Sequence, residues 1–412
     1  MLLLSLLLVA AAPDVLTLDD ALAQAEATSP ALRRSRAQTA FADAQRQGAL
    51  APLLPQVHGS VGYARATANT AQSIKLDSED QLSTGLTLRQ LIWDFGRTLG
   101  RHDARVAELL AAQADERAAK SELAFAVRAA WLHALGARQL VGVTRDAVAN
   151  EERHQAQVQA QIGVGLRAPI DLAAVKTVLA SARADVIAAE QAEQTARLEL
   201  GRAIGTGGTP APPEGAQPPG PVDGEDEALD LLLARAQAAR PDLAAARQLV
   251  QARERDLVAV RGDYWPTLSA ELGANAGGAA LDALAPNAAA SVELSWPLFE
   301  GFGTNAAVRA SEAAAAQARA LLEAADLQLR VDVEQARLVL RSTRARLVAL
   351  EEADSAAAAE LELAEARYRA GTGTIIELGD AQSRRVEAAA KRAQATTELG
   401  VSRAALLRAL GE

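Results

Sequence analysis

The fold of this chain is decided by a short segment that occurs in it twice. The second copy, Tyr368–Asp380, reads YRAGTGTIIELGD, and the first copy, Gly163–Leu172, reads GVGLRAPIDL. A glycine and an acidic residue recur in the two copies at a spacing of 206 residues: Gly165 with Gly371, and Asp171 with Glu377. A period this long greatly exceeds that of a solenoid repeat, so the spacing indicates a duplicated half-protein.

Further marks of the duplication lie on both sides of this segment. Matching pairs are Ser29-Pro30 with Arg240-Pro241, Leu54-Pro55 with Trp265-Pro266, and Gly205 with Gly411. Between the two halves, residues 206–224 read TGGTPAPPEGAQPPGPVDG, and this proline and glycine content is typical of a linker. We therefore predict a first structural repeat over residues 13–205 and a second over residues 225–412.

Each predicted repeat begins with helices and continues with strands. A short helix, at Leu16–Ala27 and at Glu225–Ala239, precedes a second helix whose first residue is a proline, where the missing N–H group costs no hydrogen bond. Alternating apolar and polar residues then predict one β-hairpin in each repeat, at about residues 56–92 and 267–299. The hairpin loops are expected near Ala68–Glu79 and Ala276–Asn287.

A very long helix is predicted after each hairpin. The two helices cover residues 96–162 and 303–370, each ~100 Å long, and return helices follow at residues 168–204 and 374–411. In the second long helix, apolar residues recur at heptad spacing in a row that Asp354 interrupts: Val333, Leu340, Leu347, Leu361 and Tyr368. This spacing predicts antiparallel coiled-coil packing. The expected fold class is mainly α with a small β part.

Composition narrows the possible functions. Half of the residues are apolar but only 3% are aromatic, which suits alanine-rich helices packed side by side better than a thick core. The chain has no cysteine, which excludes disulfides, and its net charge of −10 argues against nucleic acid as a partner. The apolar segment Met1–Ala12 is shorter than the ~20 residues that span a bilayer. Residues 1–12 are therefore predicted to be a secretory signal peptide.

The strands of an exported chain raise a problem of closure. Four strands cannot close a barrel, and open strand edges in lipid leave backbone groups without partners. Two chains would supply eight strands and three chains twelve. Most aromatic residues flank the predicted strands, as in an aromatic girdle at a membrane interface: Tyr63, Trp93, Phe95, Tyr264, Trp265, Trp296, Phe299 and Phe302. Alternatively, these rings fill a small sheet core.

The order of elements, repeated twice, resembles that of the TolC-like outer-membrane efflux proteins, or channel-tunnels. The resemblance covers about Leu16 to Gly411 and is most specific at Tyr368–Asp380. It implies a homotrimer with an α-helical barrel and a twelve-stranded transmembrane β-barrel, located in the outer membrane and extending into the periplasm. It also implies export of small molecules or proteins, as the outer component of a tripartite efflux or type I secretion system. The implied partners are outer-membrane lipid, a periplasmic adaptor (membrane fusion) protein and an inner-membrane transporter.

The resemblance also assigns roles to single residues near the repeated segment. The implied positions are Glu377 and Asp380 for a periplasmic constriction, Tyr368 and Asp171 for gating contacts, and Gly165 and Gly371 for the tip turns. An arginine that bonds to the family's aspartate is replaced here by Gly373. Arg167 and Arg369 are the candidates to take its place.

The residues by themselves leave other interpretations open. Carboxylates are favoured in the first turn of a helix by its dipole, so Glu377 and Asp380 could be helix-start residues only. Tyr368 shares a heptad row with Ile162 and could simply pack in the seam between helices. The alternative function is a periplasmic coiled-coil adaptor or structural protein without a pore. We find no catalytic constellation and no metal-ligand spacing among the histidines, and predict no enzymatic activity, cofactor or metal.

Overall fold

A computed structural model describes residues 15–67, 78–165 and 167–412 of the chain. The predicted signal peptide lies outside the described residues, and so does most of the hairpin loop predicted near Ala68–Glu79. Among the described residues, none of the helices has an apolar stretch long enough to cross a membrane.

Helices make up most of the described chain. Their bounds are α1 Leu18–Thr28, α2 Pro30–Ala49, α3 Arg97–Gly163, α4 Pro169–Ile204, α5 Leu229–Ala239, α6 Pro241–Arg261, α7 Gly303–Arg369 and α8 Ile375–Leu410. The long helices α3 and α7 each contain 67 residues, and the return helices α4 and α8 each contain 36. The duplication therefore preserves the lengths of these helices to the residue.

The short helix that opens the second repeat begins later than predicted. It was expected over Glu225–Ala239 but starts at Leu229. The amide of Glu225 instead donates to the carbonyl of Val222 in a turn. The carboxylate of Glu225 is buried, with Nε of Arg403 at 3.1 Å. This buried ion pair holds Glu225 outside the helix.

The strands form one antiparallel sheet in the order β1-β2-β3-β4. Their bounds are β1 Gln56–Ala66, β2 Glu79–Trp93, β3 Thr267–Gly278 and β4 Ala285–Ser295. The central pairing joins the two repeats, because β2 belongs to the first and β3 to the second, with Leu88 opposite Leu272. The sheet is thus a single structure built from both hairpins, and β1 and β4 are its edge strands.

The second hairpin loop is shorter than the loop predicted at Ala276–Asn287. Strand pairing continues to Gly277 with Ala285, and Pro286 lies within β4 opposite Ala276. Within one chain β4 is an edge strand, and proline is tolerated on edge strands because its missing N–H group can face away from the neighbouring strand.

The chain divides into two compact units, and each unit draws on both repeats. The first contains the residues up to Ser35, Glu116–Pro241 and Asp326–Glu412, and the second contains Arg36–Asp115 and Asp242–Ala325. The second unit includes the sheet. In the first unit, a core cluster packs α1 against α3 and α4, and the indole Nε1 of Trp131 donates to the carbonyl of Leu16 at 3.0 Å. The largest ring of that core therefore has its polar atom satisfied.

Candidate functional site

Two short turns in the first unit link the long helices to their return helices. One glycine in each turn has a positive φ, +74° at Gly165 and +75° at Gly371, a conformation that residues with a side chain rarely adopt. The neighbouring glycines Gly163 and Gly373 do not have a positive φ. A Cβ atom added at Gly373 would lie 3.1 Å from the Cβ atom of Arg367, so a side chain there would need its neighbours to shift by a few tenths of an ångström.

Glu377 begins α8 as part of a capping box with Thr374. The Thr374 hydroxyl accepts a hydrogen bond from the Glu377 amide at 3.2 Å, and the Glu377 carboxylate accepts one from the Thr374 amide at 3.4 Å. These two bonds satisfy amides that the start of a helix otherwise leaves unpaired. Nη2 of Arg367 lies 3.7 Å from the same carboxylate. The helix-start role considered for Glu377 is therefore present in the structure.

Asp380 lies one turn further along α8, and its side chain is exposed. It lines a cleft of about 250 Å³ together with Glu151 and His154 of α3. Glu377 is also exposed. The two predicted constriction residues thus present exposed carboxylates in the first two turns of one helix.

Tyr368, near the end of α7, is almost completely buried, with 1% of its surface exposed. Its hydrophobic cluster contains buried residues from the other three helices, namely Val158 of α3, Val175 of α4 and Leu378 of α8. The seam-packing role considered for Tyr368 is therefore present. Its ring contacts a cluster drawn from the long and return helices of both repeats.

Arg167, in the turn between α3 and α4, contacts Tyr368 in two ways. Its Nη2 donates to the carbonyl of Tyr368 at 3.2 Å, and its guanidinium carbon lies 4.2 Å from the centroid of the Tyr368 ring. The second distance is in the range of cation–π interactions. Arg369 instead donates from Nε to the carbonyl of Glu365 in its own helix. Of the two arginines considered as replacements at Gly373, Arg167 is the one that reaches across from the other turn.

Asp171 lies partly buried in the first turn of α4. Burial raises the pKa of Tyr368 most strongly, the Arg167 guanidinium opposes this rise, and the Asp171 carboxylate adds to it. The Tyr368 hydroxyl is buried and has no hydrogen-bond partner among the described residues. Asp171 therefore acts on Tyr368 through charge and not through a hydrogen bond in this structure.

Two residues of α3 belong to this site although no sequence motif indicated them. The His154 ring lies edge-on to the Tyr368 ring with centroids 5.2 Å apart, and its Nε2 is buried without a partner in the described part of the chain. Burial lowers the pKa of His154, and Arg167 lowers it further. Glu151, one turn earlier, is 4% exposed. The duplication could have indicated Glu151, because its counterpart 206 residues later is Ala357, in a coiled-coil row.

The aromatic residues of the predicted girdle lie in the second unit, and all of them are exposed. Most lie at one end of the sheet, where β2 and β4 end and β3 begins: Trp93, Phe95, Tyr264, Trp265, Trp296, Phe299 and Phe302. Phe95 stacks on Trp265 with centroids 5.4 Å apart. Tyr63 differs, because it lies within β1 opposite Leu82. The exposure of these rings does not fit the alternative in which they fill a small sheet core.

Comparison with known proteins identifies the family to which this chain is similar. A model of the outer membrane efflux protein family matches residues 21–206 and 232–412. The outer membrane efflux protein BepC of Brucella suis is 24% identical over 404 residues, which cover 96% of this chain and 85% of BepC. Protein CyaE of Bordetella pertussis is 28% identical over 407 residues, which cover 97% of this chain and 85% of CyaE. The crystal structure of the Campylobacter jejuni CmeC outer membrane channel has the same fold, with a TM-score of 0.83 at 15% identity over 96% of this chain and 85% of CmeC.

The paired long helices, the four-stranded sheet and these matches define an outer-membrane channel. The chain belongs to the outer membrane efflux protein family. It is located in the outer membrane, extends into the periplasm and serves as the outer component of an export system. The family consists of channels and not of enzymes. The alternative of a periplasmic adaptor without a pore is therefore set aside.

Proposed function

We propose that the functional channel is a trimer of this chain, in which three sheets join edge to edge into one closed sheet of twelve strands. The observation that carries this proposal is the open state of the sheet in a single chain. Within the described residues, β1 and β4 each have a strand neighbour on one side only. Apolar side chains on both edge strands are also exposed, 83% for Val61 and 70% for Val292. Pairing of β1 in one chain with β4 in the next would provide hydrogen-bond partners for the backbone groups of both edge strands, which are costly to leave unpaired in lipid.

Engineered cysteines test this edge pairing, since the chain has no cysteine of its own. Val61→Cys in β1 is combined in turn with one cysteine on the same face of β4, at Ala288, Ala290, Val292 or Leu294. In one chain, β1 and β4 are separated by β2 and β3, so a disulfide between them must join two chains. The matched control places cysteines at Leu86 and Ala274, which are opposite each other in β2 and β3.

We expect oxidation of at least one β1–β4 pair to produce covalent dimers and trimers on a denaturing gel. The control pair should form its disulfide within one chain and remain a monomer. If every β1–β4 pair in outer-membrane preparations remains a monomer with free thiols, edge pairing between copies is wrong.

We further propose that the two helix turns form the closed end of the channel and that Tyr368 and Asp171 are its gating contacts. Support comes from the burial of Tyr368 in a cluster that includes residues of both repeats, and from the contact of Arg167 with its carbonyl and ring. Loosening this contact should open the pore. Single-channel recordings should show higher conductance for Tyr368→Ala and a smaller increase for Arg167→Gln. The control Arg369→Gln should leave conductance unchanged, and unchanged conductance in all three variants would remove the gating role.

Glu377 and Asp380 are proposed as the constriction that selects ions. Three-fold symmetry would bring six carboxylates to one aperture, which concentrates cations and permits block by polyvalent cations. The double variant Glu377→Gln and Asp380→Asn tests this, because glutamine can keep the capping box with Thr374. We expect loss of cation selectivity and of trivalent-cation block. An unchanged selectivity would leave these two carboxylates with the helix-start role alone.

The proposed partners are a periplasmic adaptor protein and an inner-membrane transporter, and the proposed cargo is small molecules or proteins. The name of BepC, an outer membrane efflux protein, supports export as the shared activity. The side chains of Val164 and Ile376 beside the two turns are exposed and apolar, which suits contact with another protein. A photo-crosslinking residue at Ile376 in living cells should capture the adaptor. The same residue at exposed Ile187 serves as the control, and equal yields at both positions would contradict docking at the turns.

A further inference from the structure

A carboxyl group in the seam between the helices is buried without a partner. Glu151 of α3 is 4% exposed. In the part of the chain that the structure describes, it has no hydrogen bond and no ion pair, and burial raises its pKa to about 7. An unpaired carboxylate in such a place is costly unless something else supplies the missing charge or hydrogen bond.

Two clefts meet at this carboxyl group. One, of about 250 Å³, is lined by His154 and by apolar side chains that include Val175 and Ile375. The other, of about 290 Å³, has Leu361 and Val386 in its walls. Both are lined by residues of α3, α4 and α8. The residues common to both clefts are Glu151, Val178, Gln382 and Ser383.

The charged groups around Glu151 leave the clefts acidic. The titratable and charged residues that line them besides Glu151 are His154 of α3, Asp185 of α4, and Asp380, Arg385 and Glu387 of α8. Arg385 is the basic residue among them, and it is already paired with the buried carboxylate of Asp354 on α7. The pKa of His154 is lowered by burial, so its ring is neutral at neutral pH. The clefts therefore offer negative charge together with apolar walls.

We propose that these clefts bind an organic ammonium ion that carries a small apolar group, with Glu151 as its anionic partner. The ammonium N–H groups would donate to the carboxylate oxygens of Glu151, which faces both clefts. The apolar group would lie against Val175, Val178 and Ile375. A cavity of about 150 Å³ already admits benzene, so the observed volume suits a single ring with a short arm.

A bare metal ion fits this site less well. Among the described residues, no group of three or more His, Asp or Glu side chains is arranged to hold one. Ca²⁺ and Mg²⁺ require about six oxygen ligands, whereas most of the cleft wall is apolar. The clefts are formed within a single chain, and one of them shares His154 and Asp380 with the candidate site at the turns.

Calorimetric titration of the detergent-solubilised full chain at pH 8 tests the proposal. The probe is 2-phenylethylammonium, and the matched neutral probe is 2-phenylethanol. The variant Glu151→Gln removes the proposed partner with little change of shape. The control variant Glu152→Gln removes an adjacent charge on the same helix that is exposed and paired with Arg183 at 2.7 Å.

We expect 2-phenylethylammonium to bind the wild-type chain and Glu152→Gln alike, and Glu151→Gln at least tenfold more weakly. The alcohol should bind all three weakly and equally. Equal affinity of the ammonium ion for wild-type and Glu151→Gln would overturn the proposal. A second result would also overturn the proposal: the wild-type chain does not bind the probe, and oligomers of Glu151→Gln dissociate more readily than wild-type oligomers on unheated gels. A basic side chain of a second copy would then occupy the site.

The pH dependence of binding provides a second readout. Protonated Glu151 cannot pair with a cation, so the affinity of the wild-type chain should rise about tenfold between pH 6 and pH 8. The probe keeps its charge throughout, since alkyl amines titrate near pH ~10. Burial and the nearby Arg167 guanidinium both lower the pKa of His154, so its charged form is disfavoured over this range. A wild-type affinity that is flat over this range, or that rises equally in Glu151→Gln, would contradict the role of Glu151.

Discussion

The two long helix pairs share one plan for the backbone and differ in how they bury charge. The first pair, α3 and α4, and the second pair, α7 and α8, have the same helix lengths. Both end in a glycine with a positive φ, +84° at Gly205 and +92° at Gly411. In the second pair, the buried Asp354 forms ion pairs with Arg385 and with Arg392, the latter at 3.4 Å.

The first pair has neither this acid nor these arginines. At the equivalent positions 206 residues earlier it has apolar side chains: Val148, Leu179 and Val186. Its own buried acid is Glu151, whose equivalent in the second pair is Ala357. The turn and cap glycines are the same in both copies because the backbone conformation at those positions requires glycine. The position of a buried charged residue depends only on its immediate neighbours, so it can differ between the copies. In the second pair, arginines neutralise the buried Asp354. In the first pair, Glu151 has no ionic partner among the described residues and can bind a proton or a ligand.

Removing both arginines should make the second pair resemble the first and should have the largest effect. The double variant Arg385→Leu and Arg392→Val leaves Asp354 buried without a partner. Breaking a buried ion pair in this way costs about 3–5 kcal/mol. Chemical denaturation followed by circular dichroism should show this loss in the free energy of unfolding.

Adding Asp354→Val to the double variant gives the second pair the same three apolar residues that the first pair has. This triple variant should recover most of the lost free energy of unfolding, because the unpaired carboxylate is no longer present. If the triple variant is as unstable as the double variant, the cost lies in the lost arginine side chains. The difference between the two helix pairs would then be one of packing and not of charge.

Glu151→Gln should change how stability depends on pH. Burial raises the pKa of Glu151 from 4.5 to about 7, so the folded chain holds a proton that the unfolded chain releases over this range. Its contribution to stability is complete below about pH 4.5 and is lost as the pH rises through about 7, a loss on the order of 3 kcal/mol by pH 8. Thermal unfolding at pH 5 and pH 8 should show this loss in wild-type and Glu152→Gln but not in Glu151→Gln. Parallel pH profiles for all three chains would show that Glu151 is not the titrating group.

The sequence predicted the fold class because the signals for it are local and occur twice. Heptad spacing and proline at the helix starts indicated the helices, and alternation indicated the hairpins. The second hairpin loop was predicted too long because Ala and Pro residues are weak strand formers, although pairing in the sheet extends through Pro286. The start of α5 was misplaced because Glu225 is held in a turn by the distant Arg403.

The candidate site could be predicted only in part. Gly165 and Gly371 were predictable, since the need for a positive φ is a local property of the turn. The contact of Arg167 with Tyr368 was not, because it joins residues 201 positions apart. Glu151 and His154 were also missed, because polar residues in a long helix usually face solvent and their burial depends on packing against other helices.

The two helix pairs also differ at Arg167, because the equivalent position in the turn of the second pair is Gly373. Arg167→Gln should lower the free energy of unfolding by about 1 kcal/mol through loss of the cation–π contact. It should also raise the pKa of Tyr368 further, because the guanidinium opposes the effect of burial. Ultraviolet titration can measure this in a chain whose other tyrosines, Tyr63 and Tyr264, are replaced by Phe. Arg369→Gln is the control, and an equal pKa change in both variants would show a general charge effect.

The smallest expected effect separates the ring of Tyr368 from its hydroxyl group. The ring packs in a buried cluster, but the hydroxyl has no hydrogen-bond partner among the described residues. Removing an unsatisfied buried hydroxyl should be neutral or should stabilise by up to about 1 kcal/mol, so Tyr368→Phe should unfold at the same urea concentration as wild-type or slightly higher. Tyr368→Ile, which installs the residue at the equivalent position Ile162, should be less stable because the ring is lost.

The conductance of these two variants decides what the hydroxyl does in the channel. If the closed end is held by the ring and by Arg167, Tyr368→Phe should conduct as wild-type does and Tyr368→Ile should conduct more. If Tyr368→Phe is as stable as wild-type and yet conducts more, the hydroxyl must gain a partner when three chains assemble. Asp171 is the acidic candidate, because its charge already acts on Tyr368 within one chain. The gate would then depend on a bond between chains, and the ring alone would be insufficient to close it.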